Sequence, residues 1–250
     1  MVINWPLIIV LFCLSIPGVC IAIKRLIYFL LSNNTDELKK RMSRFAILQT
    51  LIMVLVMSFA GAVLSLRTGL HAPLFEELLQ GSAALNSFQF ILLPSFLYSL
   101  FGLIVFCGLY YGLVGSILDQ HSFEVMKKIR LVLGVDGCVL YGGVVEEVVA
   151  RWGLMNLLVF FSMMFAKQNN SVIIWSSIVL SGLLFGIGQV PVYLAAGCLS
   201  SRRLIYSILS LYLWQALVFG FIFWNYGLFA SIFAHMLFHV GWASYDKRGE

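Results

Sequence analysis

Long apolar stretches separated by short polar segments run along the whole chain. Windows of about 20 residues, the length a helix needs to cross a bilayer, predict seven spanning helices: Ile3 to Ile23, Phe45 to Leu66, Phe90 to Ile117, Val139 to Phe165, Val172 to Ala196, Leu204 to Phe223 and Tyr226 to Ala243. An eighth span stays open. Gly186, Gly188 and Pro191 favour a break in the fifth span. The pattern predicts an all-α, polytopic transmembrane bundle.

Two connecting segments have the pattern of short helices that lie on the membrane surface. They are Leu70 to Phe88 and Asp119 to Leu133. In the second segment the apolar residues share one helical face, opposite the basic residues. We therefore expect two interfacial helices beside the spans.

The composition agrees with a membrane protein, since 61% of the 250 residues are hydrophobic and 11% are charged. No stretch is polar for long enough to build a soluble domain. We interpret residues 1–250 as one integral membrane domain. The five cysteines lack CxxC spacing, which disfavours both a disulfide framework and a cysteine metal site.

The basic residues predict the orientation of the spans, because cytoplasmic loops attract Lys and Arg. Thirteen of the sixteen fall on one side: Lys24, Arg25, Lys39, Lys40, Arg41, Arg44, Lys127, Lys128, Arg130, Arg202, Arg203, Lys247 and Arg248. This places the N-terminus outside and the C-terminus in the cytoplasm. The net charge of +5 is then explained by topology and lipid headgroups, with no nucleic-acid partner.

Three charged residues, Glu146, Glu147 and Arg151, lie inside the fourth predicted span. Each charge near a bilayer centre costs about 2.5–3.5 kcal/mol on insertion scales, so they must face protein or trapped water. Glu147 and Arg151 are four residues apart and can pair on one helical face. Glu146 is left without a local counter-charge, which suits a general base. The alternative is a buried ion pair that only joins helices.

The last span carries His235 and His239, also four residues apart on one face. Two histidines in register inside an apolar run favour a functional site over simple packing. The HxxxH spacing can supply two zinc ligands, but no third ligand is evident. We therefore predict no metal site and no cofactor.

These residues together resemble the membrane-embedded CAAX-protease and bacteriocin-processing peptidase family, also called CPBP or Abi. Its pattern is EExxxR, then FxxxH, then HxxxN or HxxxD on three successive helices. Glu146, Glu147 and Arg151 match the first motif. Phe185 matches the second, with Gln189 where the family has His, and His235 matches the third, with His239 where Asn or Asp is usual. The family-like core covers about 139–243.

The resemblance implies a metal-independent, glutamate-dependent peptidase in a bacterial cytoplasmic membrane. Glu146 and the residue at position 189 would activate a water. Glu147 would bind substrate or position Glu146 through Arg151. His235 and His239 would polarise the scissile carbonyl and stabilise the oxyanion. The implied partners are the lipid bilayer and a membrane-associated peptide or protein substrate that arrives from the cytoplasmic leaflet.

Gln189 leaves other functions open, because a carboxamide can position a water but cannot transfer a proton near neutral pH. One alternative is a catalytically lapsed family member that acts as a membrane binding or immunity protein. Another is a proton-coupled transporter that uses the same buried carboxylates as a relay.

Overall fold

The structure, a computed structural model, describes residues 3–81, 85–168 and 170–246. It contains helices α1 Trp5–Leu30, α2 Asp36–Thr68, α3 Pro73–Leu79, α4 Leu85–Cys107, α5 Gly115–Ile117, α6 Gln120–Gly137, α7 Asn156–Ala166, α8 Ser171–Ala195, α9 Arg202–Tyr226 and α10 Leu228–Asp246. Two π-helical segments, π1 Gly108–Val114 and π2 Cys138–Met155, join α4 to α5 and α6 to α7. The described part of the chain has no strand, which confirms the all-α prediction.

Six helical segments are long and apolar enough to cross a membrane: Trp5–Leu30, Asp36–Thr68, Phe88–Ile117, Gln120–Ala166, Ser171–Ala195 and Arg202–Tyr226. They cover the first six predicted spans. Helix α10, which carries the predicted seventh, is not among them. Its 19 residues nevertheless extend roughly 28 Å at 1.5 Å per residue, close to the thickness of a hydrocarbon core. Seven spans therefore stay a prediction.

The predicted break in the fifth span is wrong. Helix α8 continues through Gly186, Gly188 and Pro191 and ends at Ala195. A helix surrounded by apolar groups must satisfy its backbone groups internally, which favours continuation of the helix past a proline.

The connecting segments gather at two opposite ends of the bundle. At one end, Leu199 N donates to Ser122 Oγ (2.9 Å), the His121 ring lies 3.2 Å from Gly197 O, and the Lys128 ammonium lies over the Phe29 ring. At the other end, Leu228 N donates to His71 O, Phe75 packs against Phe229, and the Arg67 guanidinium lies over the Phe160 ring. The segments predicted to be cytoplasmic thus share one end. Which end faces the cytoplasm stays a prediction, and Lys247 and Arg248 lie outside the described residues.

Gly134 separates the first part of α6 from the span that follows it. Its backbone leaves the helical region (φ 72°, ψ 167°), directly after Leu133, where the interfacial helix is predicted to end. Arg25 of α1 stabilises this kink, since its Nη1 donates to Leu133 O at 2.5 Å and also pairs with Asp136 at 2.5 Å. A Cβ at position 134 would lie 2.7 Å from that guanidinium. The kink therefore fixes where the span carrying Glu146 begins.

Large apolar side chains cover much of the outer surface. On α2, Phe45 is 63% exposed and Val56 is 56% exposed, and on α4 Phe90 is 68% exposed and Ile104 is 64% exposed. Apolar patches of this extent are rare on proteins surrounded by water. The surface is that of an integral membrane protein. All five cysteines are free thiols.

The buried side chains form two clusters on either side of the candidate site. One surrounds Trp152 and Met155 of π2 and includes residues of α1, α2 and α8. The other surrounds Phe106, Phe219 and Phe238 of α4, α9 and α10. Helices π2 and α10 pack against each other between these clusters. The charged residues of π2 and the histidines of α10 meet at this contact.

Candidate active site

The carboxylates lie on π2, whose turns are wider than those of an α-helix because the backbone bonds run from i to i+5. Such segments are often found at functional sites. Even with the wider turn, Arg151 Nε lies 3.7 Å from Glu147 Oε1. The predicted pair therefore forms.

Glu147 is fully buried and has partners on both oxygens. His235 Nδ1 lies 2.8 Å from its Oε1, and the Ser231 hydroxyl donates to its Oε2. Ser231 Oγ also lies 2.9 Å from Phe219 O, but one hydroxyl has a single proton to donate. A buried carboxylate costs much free energy unless it is paired and hydrogen-bonded. Arg151, His235 and Ser231 satisfy that requirement and join π2 to α10.

His235 has its orientation fixed by this carboxylate. Because a carboxylate only accepts hydrogen bonds, His235 Nδ1 carries a proton and donates it to Glu147. Its ring stacks on Phe219, with centroids 4.0 Å apart, and on His239, with centroids 4.8 Å apart. His235 is 0% exposed. The His235 ring therefore packs against one face of the His239 ring.

His239 is the histidine that faces the open space of the site, since it lines the cavity that also contains Glu146. Its ring lies directly over Gly142, where an added Cβ would be 2.2 Å from Nε2. The neighbouring Gly143 allows the same close approach, because a Cβ there would be 2.4 Å from Met236 Cγ. The Gly142–Gly143 pair thus lets α10 approach π2 closely.

Glu146 is half-buried at the wall of this cavity, which has a volume of about 110 Å³. Within residues 3–81, 85–168 and 170–246, Glu146 forms no ion pair and no hydrogen bond. Polar side chains from π2 itself and from three other helices line the cavity with it, among them Tyr141, Tyr193, Tyr212, Gln215 and His239. The cavity is large enough for a few water molecules, each of which takes about 30 Å³ in the liquid. The site can therefore hold water beside a carboxylate with no other partner.

Gln189 is the one predicted site residue that the structure does not bring to the cavity or to the Glu147 cluster. It is half-buried on α8, and the residue of α8 that lines the cavity is Tyr193. Gln215 of α9 lines the cavity instead and is 8% exposed. Sequence reasoning missed Gln215, although it is a lone amide inside the sixth predicted span. It also missed Ser231, which lies one turn before His235 on the same face.

No group of three His, Cys, Asp or Glu side chains in the described part of the chain could hold a metal ion. His235 and His239 are stacked face to face rather than directed at a common point.

The fold and site define a polytopic membrane protein with a buried pair of carboxylates facing two histidines. Residues 128–241 match the model of the Rce1-like family, the type II CAAX prenyl endopeptidases. The match supports the family assignment that the motifs predicted, and it contains Glu146, Glu147, Arg151, Gln189, His235 and His239. At family level the match supports a CAAX-type intramembrane protease. No curated protein and no solved structure matches the chain.

Proposed function

We propose that the protein is a metal-independent, glutamate-dependent intramembrane endopeptidase that hydrolyses a peptide bond of a membrane-associated substrate. The main support is the difference between the two adjacent carboxylates. Glu147 is held by three partners, whereas Glu146 has none among the residues that the structure describes and faces a cavity beside His239. A carboxylate without a fixed partner, next to space for water, has the arrangement of a general base.

In this mechanism Glu146 takes a proton from a cavity water, whose oxygen attacks the scissile carbonyl carbon. When the tetrahedral intermediate collapses and the C–N bond breaks, Glu146 gives that proton to the leaving amine nitrogen. His239 lies on the opposite helix and can donate a hydrogen bond to the oxygen that becomes negative. Its Nδ1 is buried and has no hydrogen-bond partner among the described residues. Glu147, Arg151 and His235 do not line the cavity, so we assign them the positioning of π2 and of the His239 ring.

The amide groups complete the proposal. Gln189 occupies the motif position of the family's histidine, and Gln215 lines the cavity. An amide can hold a water through its oxygen or its NH2 group but cannot take its proton. We propose that water positioning is done by an amide, and that Glu146 alone provides the base.

We propose a membrane-anchored peptide as the substrate, because helices that are long and apolar enough to cross a membrane line the cavity. We propose that the substrate enters from the cytoplasmic leaflet of a bacterial cytoplasmic membrane, and that no nucleic acid takes part.

A second candidate is a family member that binds a membrane peptide or toxin without cleaving it. One observation favours it: Gln189 stands where the family has a proton-transferring residue. Proton-coupled transport is the third reading, and it requires proton flux in proteoliposomes.

Cleavage assays with purified full-length protein in nanodiscs test the proposal. The probes are membrane-anchored peptides, with and without a prenyl group, and mass spectrometry detects the products. We expect Glu146→Gln to lower cleavage by about 10²–10⁴, the usual contribution of one general base. Glu124→Gln, on the exposed surface of α6, is the matched control. Peptide binding that survives in both proteins without any product would instead support the second candidate.

A further inference from the structure

The last described residue, Asp246, has a carboxylate held on both oxygens at the end of α10. Arg130 Nη1 of α6 lies 2.5 Å from Asp246 Oδ2, and the Tyr111 hydroxyl of π1 donates to Oδ1. The Arg130 guanidinium lies 3.4 Å from the centre of the Trp242 ring, and Trp242 Nε1 donates to Tyr111 Oη at 2.9 Å. Three side chains from three elements thus surround this carboxylate.

This cluster lies where the Glu146 cavity meets two neighbouring depressions of the surface. Arg130 and Trp242 line the cavity, and Arg130 and Asp246 line both depressions. Lys127 and Lys128 lie in one of these depressions. The Arg130 side chain is 13% exposed and that of Asp246 is 29% exposed, so their ion pair is partly accessible from outside.

A peptide backbone needs more space than the cavity of about 110 Å³ offers, so part of its wall must move when a substrate enters. Most of the wall is made of packed helices. The Arg130–Asp246 contact is different, because an ion pair can exchange one carboxylate for another. Without Asp246, the Arg130 guanidinium and the Tyr111 phenol remain as hydrogen-bond donors, with Lys128 in the same depression and Lys127 paired with Glu124 at 3.1 Å. A guanidinium fork matches a carboxylate in shape and charge.

We propose that Arg130 and Tyr111 form a carboxylate-binding subsite at the mouth of the Glu146 cavity, occupied in the resting protein by Asp246 of the same chain. A carboxylate of the peptide substrate takes the place of Asp246, and the end of α10 then moves away from α6. This inference rests on the proposed function. Arg130 lies inside the family match, whereas Tyr111 and Asp246 lie outside it.

Equilibrium binding to full-length protein in neutral-lipid nanodiscs tests the subsite separately from cleavage. The probes are three fluorescein-labelled peptides of the same Ala and Leu sequence: one with a free C-terminal carboxylate, one with a C-terminal amide, and an amide with one Asp. The first and third peptides distinguish a main-chain from a side-chain carboxylate. We expect a carboxylate peptide to bind at least tenfold more tightly than the neutral amide.

Substitutions then identify the groups responsible. Asp246→Asn removes the internal competitor, so it should tighten binding of the carboxylate peptide severalfold and leave the amide peptide unchanged. Arg130→Gln should abolish the preference, Arg130→Lys should retain part of it, and Tyr111→Phe should reduce it without loss of the folded state. Arg203→Gln, an exposed basic residue that does not line the cavity, controls for general electrostatic attraction.

An equal affinity of all three peptides for the wild-type protein would overturn the proposal. So would an unchanged preference in Arg130→Gln. Nanodiscs that contain anionic lipid provide a further comparison: if Arg130 changes only the response to lipid charge, the subsite binds headgroups and not peptides. A carboxylate preference without cleavage would contradict the proposed function and leave the subsite standing. Cleavage without that preference would contradict the subsite and leave the proposed function standing.

Discussion

Glu146 and Glu147 are neighbours in the sequence and lie in opposite environments. Glu147 is fully buried and held by Arg151, Ser231 and His235. Glu146 faces a small cavity with aromatic and amide walls and has no partner among the described residues. The same chemical group thus joins two helices at one position and, in the mechanism we propose, serves as the base at the next.

The comparison shows how a membrane helix can carry two carboxylates. A buried ion pair contributes little net stability, because desolvation offsets its attraction, but removal of one partner is costly. The Glu147 cluster therefore fixes the contact between π2 and α10. That fixed contact holds Glu146 and His239 around the same cavity.

The largest expected effect is a difference in the free energy of unfolding between variants of the two carboxylates. Glu147→Ala leaves Arg151 buried without its counter-charge, so we expect a loss of about 3–5 kcal/mol in the free energy of unfolding. Glu146→Ala should change it by less than about 1 kcal/mol, because no described contact is lost. Unfolding of both variants in the same detergent, followed by helical circular dichroism, measures the difference. Equal losses would contradict the division of roles.

Ser231→Ala should have the next largest effect. It removes the donor to Glu147 Oε2 and leaves a buried acceptor short of one bond, which costs about 1.5–3 kcal/mol for a bond to a charged group. Ser181→Ala is the matched control, since Ser181 is also 0% exposed but bonds only to Ile178 O of its own helix. The same unfolding measurement applies. A loss in Ser181→Ala as large as in Ser231→Ala would show that the Glu147 bond is not special.

The fold could be predicted from the sequence further than the site could. An apolar stretch of about 20 residues is a strong signal for a spanning helix. The first six predicted spans accordingly agree with the helices observed. The break at Pro191 was predicted wrongly, because local helix-breaking signals are weaker than the need to satisfy the backbone in an apolar environment.

Candidate site residues could be predicted from the sequence only where a span contains a charge or a histidine. Charged residues inside spans, such as Glu146, Glu147 and Arg151, stand out because their insertion into a bilayer is costly. Neutral polar residues have no such signal, so the contributions of Gln215 and Ser231 depended on how the helices pack. Arg130 and Asp246 are 116 positions apart in the sequence. No local sequence pattern predicts that they form an ion pair.

Gly142→Ala tests whether the close approach of α10 positions His239. The new methyl group would overlap the His239 ring, and such overpacking costs about 1–3 kcal/mol. We expect the ring to move away from Glu146 and cleavage to fall, with the larger change in kcat. Gly112→Ala, where a Cβ meets nothing within 4 Å, is the matched control. Wild-type kcat in Gly142→Ala would show that the position of the His239 ring does not matter.

The smallest expected effect distinguishes the two amides. Gln215 lines the cavity and Gln189 does not, so Gln215→Leu should lower kcat/KM about two- to tenfold, which corresponds to one neutral hydrogen bond of about 0.5–1.5 kcal/mol. Gln189→Leu should leave kcat/KM near the wild-type value, and Gln189→His, which restores the family residue, should not raise it. Steady-state cleavage of one anchored peptide by all four proteins measures these ratios. A gain in Gln189→His together with no change in Gln215→Leu would mean that position 189 reaches the reacting water when substrate is bound. The family's water-positioning role would then belong to α8 and not to α9.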